Sequence, residues 1–311
     1  MIKQIRYRFE YLLLLLLFFL FRVLGLDRAS ALGGWIGRTV GPRLAASRKA
    51  MANIRRAFPD RGEAEQERIL VDMWENLGRV VAEYPHLAQI VAERITLDPD
   101  SRARLESLKS GHTGIVFWGA HLGNWEAGAM LLQQAFASNN LYRPPNNPYV
   151  ARLLEQARHV PDGPQRIAKS RTGARDLLRV MRNGGRIAIL IDQKYNEGLP
   201  VPFFGHPAMT SPVFAELAQK FDVPLVPARI ERTGGAHFAG TLYPPMTLRD
   251  QETGTPLPPI KIVESVHGIL EEWITAAPGQ WLWLHRRWPR GRSASKDGCS
   301  KKNLDSSAAS R

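Results

Sequence analysis

Cysteine is nearly absent: the 311 residues contain one, Cys299. A single thiol excludes an intramolecular disulfide framework and any cysteine-rich metal site. Its place in a polar C-terminal stretch argues against a catalytic thiol. Acidic residues are also scarce. Asp and Glu number 29 against 42 Lys and Arg, a formal charge of +13. Such a surplus points to an anionic partner: nucleic acid, an acidic carrier protein, or phosphate-bearing lipid. No internal repeat occurs, and no cluster of metal-ligating side chains is visible, so neither metal nor cofactor is expected. The apolar fraction of 44% supplies an ordinary globular core.

The chain also lacks an uninterrupted apolar run of the ~20 residues that cross a bilayer as a straight helix. What it has is Tyr11–Phe21, YLLLLLLFFLF, preceded by Lys3, Arg6 and Arg8, broken by Arg22 and continued by Val23–Leu26. Ala29-Ser30-Ala31 has the small-residue pattern of a signal-peptide cleavage site. Asp27 and Arg28 crowd that site, however, and the mature chain would form no disulfides. A buried core helix is the plain alternative, against which six consecutive leucines leave no polar face for solvent. Residues 1–26 therefore read as a retained membrane anchor, spanning the bilayer or lying in its interface. Arg28, Arg38, Arg43, Arg48, Lys49, Arg55 and Arg56 follow it, a basic collar suited to an anionic membrane surface. With both flanks positive, charge does not fix orientation.

Residues 27–60 look helical and basic, and end at the turn signal Phe58-Pro59-Asp60-Arg61-Gly62. Ile69, Leu70, Met73, Trp74, Leu77, Val80, Val81 and Tyr84 recur at helical spacing until Pro85, which predicts an amphipathic helix on a core. Short apolar runs at 114–118, 186–191 and 224–230 read as buried strands. Helical patterns at 125–137, 149–158, 173–183 and 212–221 alternate with them, and a last amphipathic helix carries Ile262, Val266, Ile269, Leu270, Trp273 and Ile274. Alternation of this kind predicts an α/β fold, a parallel or mixed sheet flanked by helices. Residues 27–290 then form one domain, and the Ser-, Lys- and Ala-rich tail, 291–311, is expected to be disordered.

The chemistry concentrates in Phe117-Trp118-Gly119-Ala120-His121-Leu122-Gly123-Asn124-Trp125-Glu126. Glycines allow a tight turn after the strand, and His121 falls at the strand's carboxyl end, where α/β sheets place their ligand crevices. A neutral imidazole takes a proton from an alcohol, and a carboxylate on its other nitrogen fixes the tautomer. Glu126, one helical turn on, is the expected carboxylate. Spacing alone is weak support: 8 His and 29 acids in 311 residues give about 0.7 chance matches to His-x4-Asp/Glu. His267 and Glu272 make a second match, read as solvated surface because no glycine-lined strand end precedes it.

Ordered motifs add specificity. Asn53-Ile54-Arg55-Arg56-Ala57-Phe58-Pro59, His121 to Glu126, Tyr142-Arg143-Pro144-Pro145-Asn146-Asn147-Pro148, Asp192-Gln193, Phe203-Phe204-Gly205 and Trp283-Leu284-His285-Arg286-Arg287-Trp288 follow the leucine-rich amino terminus. Together they resemble the late acyltransferases of lipid A biosynthesis, the lauroyl and myristoyl transferases of Gram-negative bacteria, up to about Trp288. The resemblance implies a glycerolipid-acyltransferase-like α/β core on an N-terminal membrane helix at the cytoplasmic face of the inner membrane. It also implies acyl carrier protein thioester as donor, with coenzyme A thioester the alternative, and an anionic lipid A precursor as acceptor. His121 maps to the family's general base and Glu126 to its supporting carboxylate. Arg158 and Asp192 fall at further important positions, Arg158 to hold a phosphate or stabilise an oxyanion, Asp192 to order that arginine or the acceptor. Arg143 is a further phosphate ligand.

Asn124 and Trp125 are expected to shape the turn and pack. His285-Arg286-Arg287 is expected to be structural or interfacial, and Phe203–Pro207 either lines an acyl pocket or forms a buried loop. Two other readings stay open: a same-fold acyltransferase acting on a glycerolipid or mannosylated phospholipid, and a non-catalytic basic protein binding lipid or nucleic acid. The ordered motifs favour the enzyme, with no nucleic acid among its partners.

Overall fold

The structure is a computed structural model that describes residues 2–111, 114–164 and 166–288; the expected disordered tail lies outside them. The chain opens with helices α1 (Ile2–Leu24), α2 (Leu26–Val40), α3 (Ser47–Ala57), α4 (Glu63–Glu83) and α5 (Leu87–Glu93). Alternation follows, through β1 (Ile95–Leu97), α6 (Pro99–Gly111), β2 (Ile115–Gly119), α7 (Trp125–Phe136) and β3 (Asn139–Tyr142). It continues with α8 (Pro148–Ala157), β4 (Ile167–Ala168), α9 (Arg171–Arg182) and β5 (Arg186–Leu190). A hairpin of β6 (Leu199–Phe203) and β7 (His206–Thr210) leads to α10 (Val213–Lys220), β8 (Leu225–Gly234), β9 (His237–Leu242) and α11 (Pro259–Ala276).

The main sheet runs β1-β9-β8-β2-β5-β3-β4. Its neighbours are parallel except β8 and β9, so the sheet is mixed and flanked by helices, as the alternation predicts. Central β2 is buried on both faces, which is why it reads as an unbroken apolar run. Val116 and Trp118 join the core under α10 and α11, while Ile115 and Phe117 pack with Phe136 and Leu108 on the other face. The stripe of α4 is buried at Ile69, Leu70, Met73, Trp74 and Val80, whereas Val81 is exposed. Helix α2 crosses α4 backbone to backbone. A Cβ on Gly37 would stand 2.1 Å from the Trp74 carbonyl oxygen, so this position requires glycine.

Helix α1 is neither buried nor free. Tyr7, Phe18 and Phe21 pack inward, with Phe18 stacked on Tyr84. Phe9, Leu12, Leu16, Phe19 and Val23 stand exposed in one apolar face. Among the described residues no helix is long and apolar enough to cross a membrane. The spanning form of the expected anchor is therefore not supported, because Lys3, Arg6, Arg8, Glu10 and Arg22 interrupt the helix at both ends.

One sequence expectation is corrected here. His267 is not solvated; it is 1% exposed, while Glu272 faces solvent. Its Nδ1–H donates to the Pro202 carbonyl at 2.6 Å, and its Nε2 lies 2.9 Å from both Thr210 Oγ1 and Arg287. Burial, with the neighbouring Arg287 charge, pulls the imidazole down to about 4. Arg287 is itself fully buried, and desolvation lowers it to about 10. Within the segment expected to be structural or interfacial, Arg287 is thus structural, whereas Arg286 is exposed. Phe203 packs among Trp281, Trp288 and His267, while Gly205, His206 and Pro207 at the hairpin turn are exposed, and none of 203–207 lines the cavity described below.

The folded chain takes a proton on His267 near pH 4, the unfolded chain already near 6.5, so acid favours the unfolded state. Stability is fully present above pH 6.5 and is lost as pH falls toward 4, by about 3 kcal/mol from this group. Urea midpoints measured across that window should show the loss, and His267→Asn should flatten it. An unchanged pH slope in the variant would refute the assignment.

Candidate active site

The in-register parallel pairing of β2 with β5 sets the site. Gly119 lies opposite Leu190, and the Ile191 N–H donates to the Gly119 carbonyl at 3.1 Å. His121 and Asp192 each sit two residues beyond their strand, so they meet at the carboxyl edge of the sheet. The His121 backbone N–H donates to Asp192 Oδ2 at 2.8 Å, and its Nδ1–H donates to Oδ1 at 2.8 Å. Trp281 Nε1–H fills a second position on Oδ2 at 2.7 Å. Burial alone would raise the Asp192 carboxyl. Its attraction to His121 and the three donors outweigh burial and hold it well below the usual carboxylate range.

With Nδ1 protonated toward Asp192, the lone pair of His121 lies on Nε2. There the Gln193 amide donates one N–H to His121 Nε2 at 3.2 Å and the other to His285 Nε2 at 3.1 Å. Burial, then the neighbouring His121, lowers the His285 imidazole, which keeps that acceptor neutral. Gly123 closes the turn at φ 58°, and a Cβ there would stand 2.4 Å from the Ile230 carbonyl oxygen. Asn124 caps α7, accepting from the Ala127 N–H at 3.0 Å and donating to Glu83 at 2.8 Å. Glu83 is fully buried and paired with Arg232 at 2.5 Å. Asn124 thus shapes the turn, as expected.

Glu126 occupies a different place from the one its spacing suggests. It lies in the first turn of α7 and takes its hydrogen bonds from Tyr84 Oη at 2.7 Å and from two nitrogens of Arg158, at the C-cap of α8. Burial pushes the Glu126 carboxyl up, but Arg158 and Tyr84 prevail and hold it below its ordinary value. The carboxylate on His121 is therefore Asp192, and Glu126 is the partner of Arg158. Asp192 does not order Arg158. Both clusters line one cavity of about 220 Å³, far larger than the ~10–15 Å³ a single water requires. Its deep wall is apolar, with Leu105, Leu131, Leu132, Phe136 and Leu242, and its polar wall carries His121, Glu126, Arg143 and Arg158. A neutral imidazole beside a hydrocarbon-lined cavity suits proton removal from an alcohol near an alkyl chain.

A model of the family described as bacterial lipid A biosynthesis acyltransferase matches residues 2–290. The chain belongs to that family. A lipid A biosynthesis acyltransferase of Haemophilus influenzae is 26% identical over 82% of this chain and 81% of its own length. The lipid A biosynthesis lauroyltransferase of Escherichia coli K12 is 24% identical, covering 76% of each chain, and the palmitoleoyltransferase of the same organism 24%, covering 79% and 80%. This lipid A acyltransferase is accordingly an enzyme, as its motifs imply.

The sequence reading of this acyltransferase passed over Tyr84, Gln193 and His285 as site residues. Tyr84 ends the apolar stripe of α4 and looks like core until its hydroxyl is seen on Glu126. Gln193 and His285 lie inside quoted motifs, but nothing local says that their side chains converge. The Glu126–Arg158 pair yields a stability prediction. Arg158→Ala strands a buried carboxylate, and unfolding free energy should fall by about 3–5 kcal/mol. Glu126→Leu with Arg158→Leu should cost less than Arg158→Ala alone, as denaturant melts of the variants would show. A double variant as unstable as the single would mean that packing, not the unpaired charge, sets the cost.

Proposed function

We propose that the enzyme moves a fatty acyl group from an acyl carrier protein thioester to a free hydroxyl on an acyl chain of a phosphorylated, glucosamine-based lipid A precursor. The observation that carries this reading is the His121–Asp192 pair, with Nε2 turned into an apolar cavity. The hydroxyl displaces the Gln193 amide from Nε2 and gives its proton to His121 as its oxygen bonds to the thioester carbonyl carbon. Asp192 holds the tautomer and stabilises the imidazolium. Collapse of the tetrahedral oxyanion breaks the C–S bond, and the imidazolium returns the proton to the departing thiolate. The acyl chain lies along Leu131, Leu132 and Phe136. Glu126 and Arg158 act as a unit that holds α7 against α8, and exposed Arg143 meets the anionic acceptor.

The enzyme sits at the cytoplasmic face of the inner membrane. The apolar face of α1 lies in the interface, extended by the exposed Trp35, Ile36, Val40 and Leu44. The basic collar then meets anionic headgroups.

Asp192→Asn tests the chemistry sharply. Oδ2 faces two N–H donors, so an Asn amide must turn its NH₂ toward His121 Nδ1. That forces the proton onto Nε2 and removes the catalytic lone pair. Acyl transfer from labelled acyl carrier protein to a lipid A precursor should fall about 10³–10⁴-fold in Asp192→Asn and in His121→Ala. Coenzyme A thioesters and glycerolipid acceptors should be poorer substrates for the wild type. Wild-type rates in Asp192→Asn, or no product from any lipid A precursor, would defeat the proposal.

A further inference from the structure

The charges around the cavity do not balance, and the imbalance has a direction. Five cations line it: Arg229, which is paired with Glu231 at 2.7 Å, and Arg143, Arg158, Arg166 and Lys169, beside which the carboxylates are Glu126 and Asp192. Both acids are already engaged: Glu126 holds Arg158 and the Tyr84 hydroxyl, and Asp192 holds His121 and Trp281. Arg158, the arginine first expected to hold a phosphate, is thereby consumed. Among the described residues, no carboxylate pairs with Arg143, Arg166 or Lys169.

Arg166 is the most telling of the three. Its Nη2 is shielded from solvent and has no hydrogen-bond partner. A shielded guanidinium nitrogen without an acceptor is costly and calls for an explanation, of which a bound anion is one. Arg166 is half-buried and Lys169 more open to solvent, and the protein packed around each lowers both groups. Each stands near a carboxylate, which raises it, and a second cation, which lowers it: Arg166 near Glu126 and Arg158, Lys169 near Asp192 and Arg143.

Topology explains why they gather. Strands β3 and β4 run parallel at the sheet edge, with Leu141 opposite Ile167 and Tyr142 opposite Ala168. Arg143 follows β3, while Arg166 and Lys169 bracket β4, so the unpaired cations share one edge of the cavity mouth. Guanidinium and ammonium groups together, with no carboxylate ion-paired to any of them, match the tetrahedral oxygens of a phosphate.

We propose that Arg166, Lys169 and Arg143 form a binding site for a phosphate group of one of the two reactants, distinct from the Glu126–Arg158 pair. This rests on the acyl-transfer reading above. Two sources share the chemistry: the phosphodiester of the phosphopantetheine arm that carries the thioester, and the phosphomonoester on the glucosamine acceptor.

Kinetics on the full chain in detergent micelles separate them. One arm compares acyl-phosphopantetheine with acyl-pantetheine as donor; the other compares phosphorylated with dephosphorylated lipid A precursor as acceptor. The wild type should prefer the phosphorylated form in one arm by about tenfold to a hundredfold in kcat/KM, the worth of charge-assisted hydrogen bonds. In Arg166→Gln/Lys169→Gln that preference should shrink to within about threefold of unity. The charge-keeping pair Arg166→Lys/Lys169→Arg should retain most of it, which a merely structural role would not predict. The arm in which the preference collapses names the source. Equal preferences in wild type and the Gln variant, or no wild-type preference in either arm, would overturn the site. Calorimetric titration with inorganic pyrophosphate needs no turnover. Binding to wild type but not to the Gln variant supports the site even if no acyl acceptor is found, and identical binding to both refutes it.

Discussion

Everything at the active edge depends on one pairing, that of β2 with β5 as parallel neighbours in a single register. Moving that register by one residue would turn every side chain of one strand to the opposite face and carry Asp192 away from His121. The contact is therefore held redundantly. Val116 and Trp118 are buried in one core cluster on one side of β2 and Ile115 and Phe117 in another on the other, so a slip would force each set into packing shaped for the other. A second brace comes from the C-terminal strap, where the Leu282 N–H donates to the His121 carbonyl at 3.0 Å and Trp281 reaches Asp192.

That dependence explains what the sequence discloses and what it hides. The strand, the glycine turn and His121 are local features, legible from composition within ten residues. The mate of His121 lies 71 positions away, and its identity follows from register, to which spacing is blind. Glu126 is near enough in sequence to look like the partner. The Asn124 cap, however, starts α7 so that Glu126 faces α8 instead. Asp192 and Arg158 were singled out through resemblance to a family, which supplied positions but not who touches whom. His267 was readable and was misread. Val263, His267, Leu270 and Ile274 fall at i, i+4, i+7 and i+11, so the buried stripe of α11 includes the histidine.

The buried charges of the molecule follow two different rules. Glu83 with Arg232, and Glu126 with Arg158, are closed pairs whose hydrogen bonds are supplied from within. Arg287 reaches the same end without a carboxylate, through the Met209 carbonyl, the Thr210 hydroxyl, His267 and the face of the Phe203 ring. Single Nε atoms of Arg229 and Arg287 lack a partner, but each of those guanidiniums is held by other contacts, Arg229 by Glu231 and Arg287 by Met209 and Thr210. At Arg166 the unanswered nitrogen belongs to a guanidinium with no carboxylate ion pair among the described residues, at the edge of the cavity.

Helix α8 joins the helix with the exposed apolar face, α1, to the His121 edge of the molecule. Its N-cap, Asn147, donates to the Tyr7 carbonyl and to Glu10 of α1, each at 2.9 Å. Its C-cap residue, Arg158, grips Glu126 at the start of α7. Ten residues of helix span about 15 Å, so the apolar helix and the first turn of α7 are two ends of one short strut. A displacement of α1 at a membrane surface would be passed to Glu126 through a rigid element rather than absorbed in a loop. Phe18, stacked on Tyr84, gives a parallel route, since the Tyr84 hydroxyl also ends on Glu126. Both routes converge on a carboxylate that takes no part in holding the His121 tautomer. The position of Glu126 is then understood as mechanical: it ties the cavity's polar wall to α1 through α8, while Asp192 holds the His121 ring.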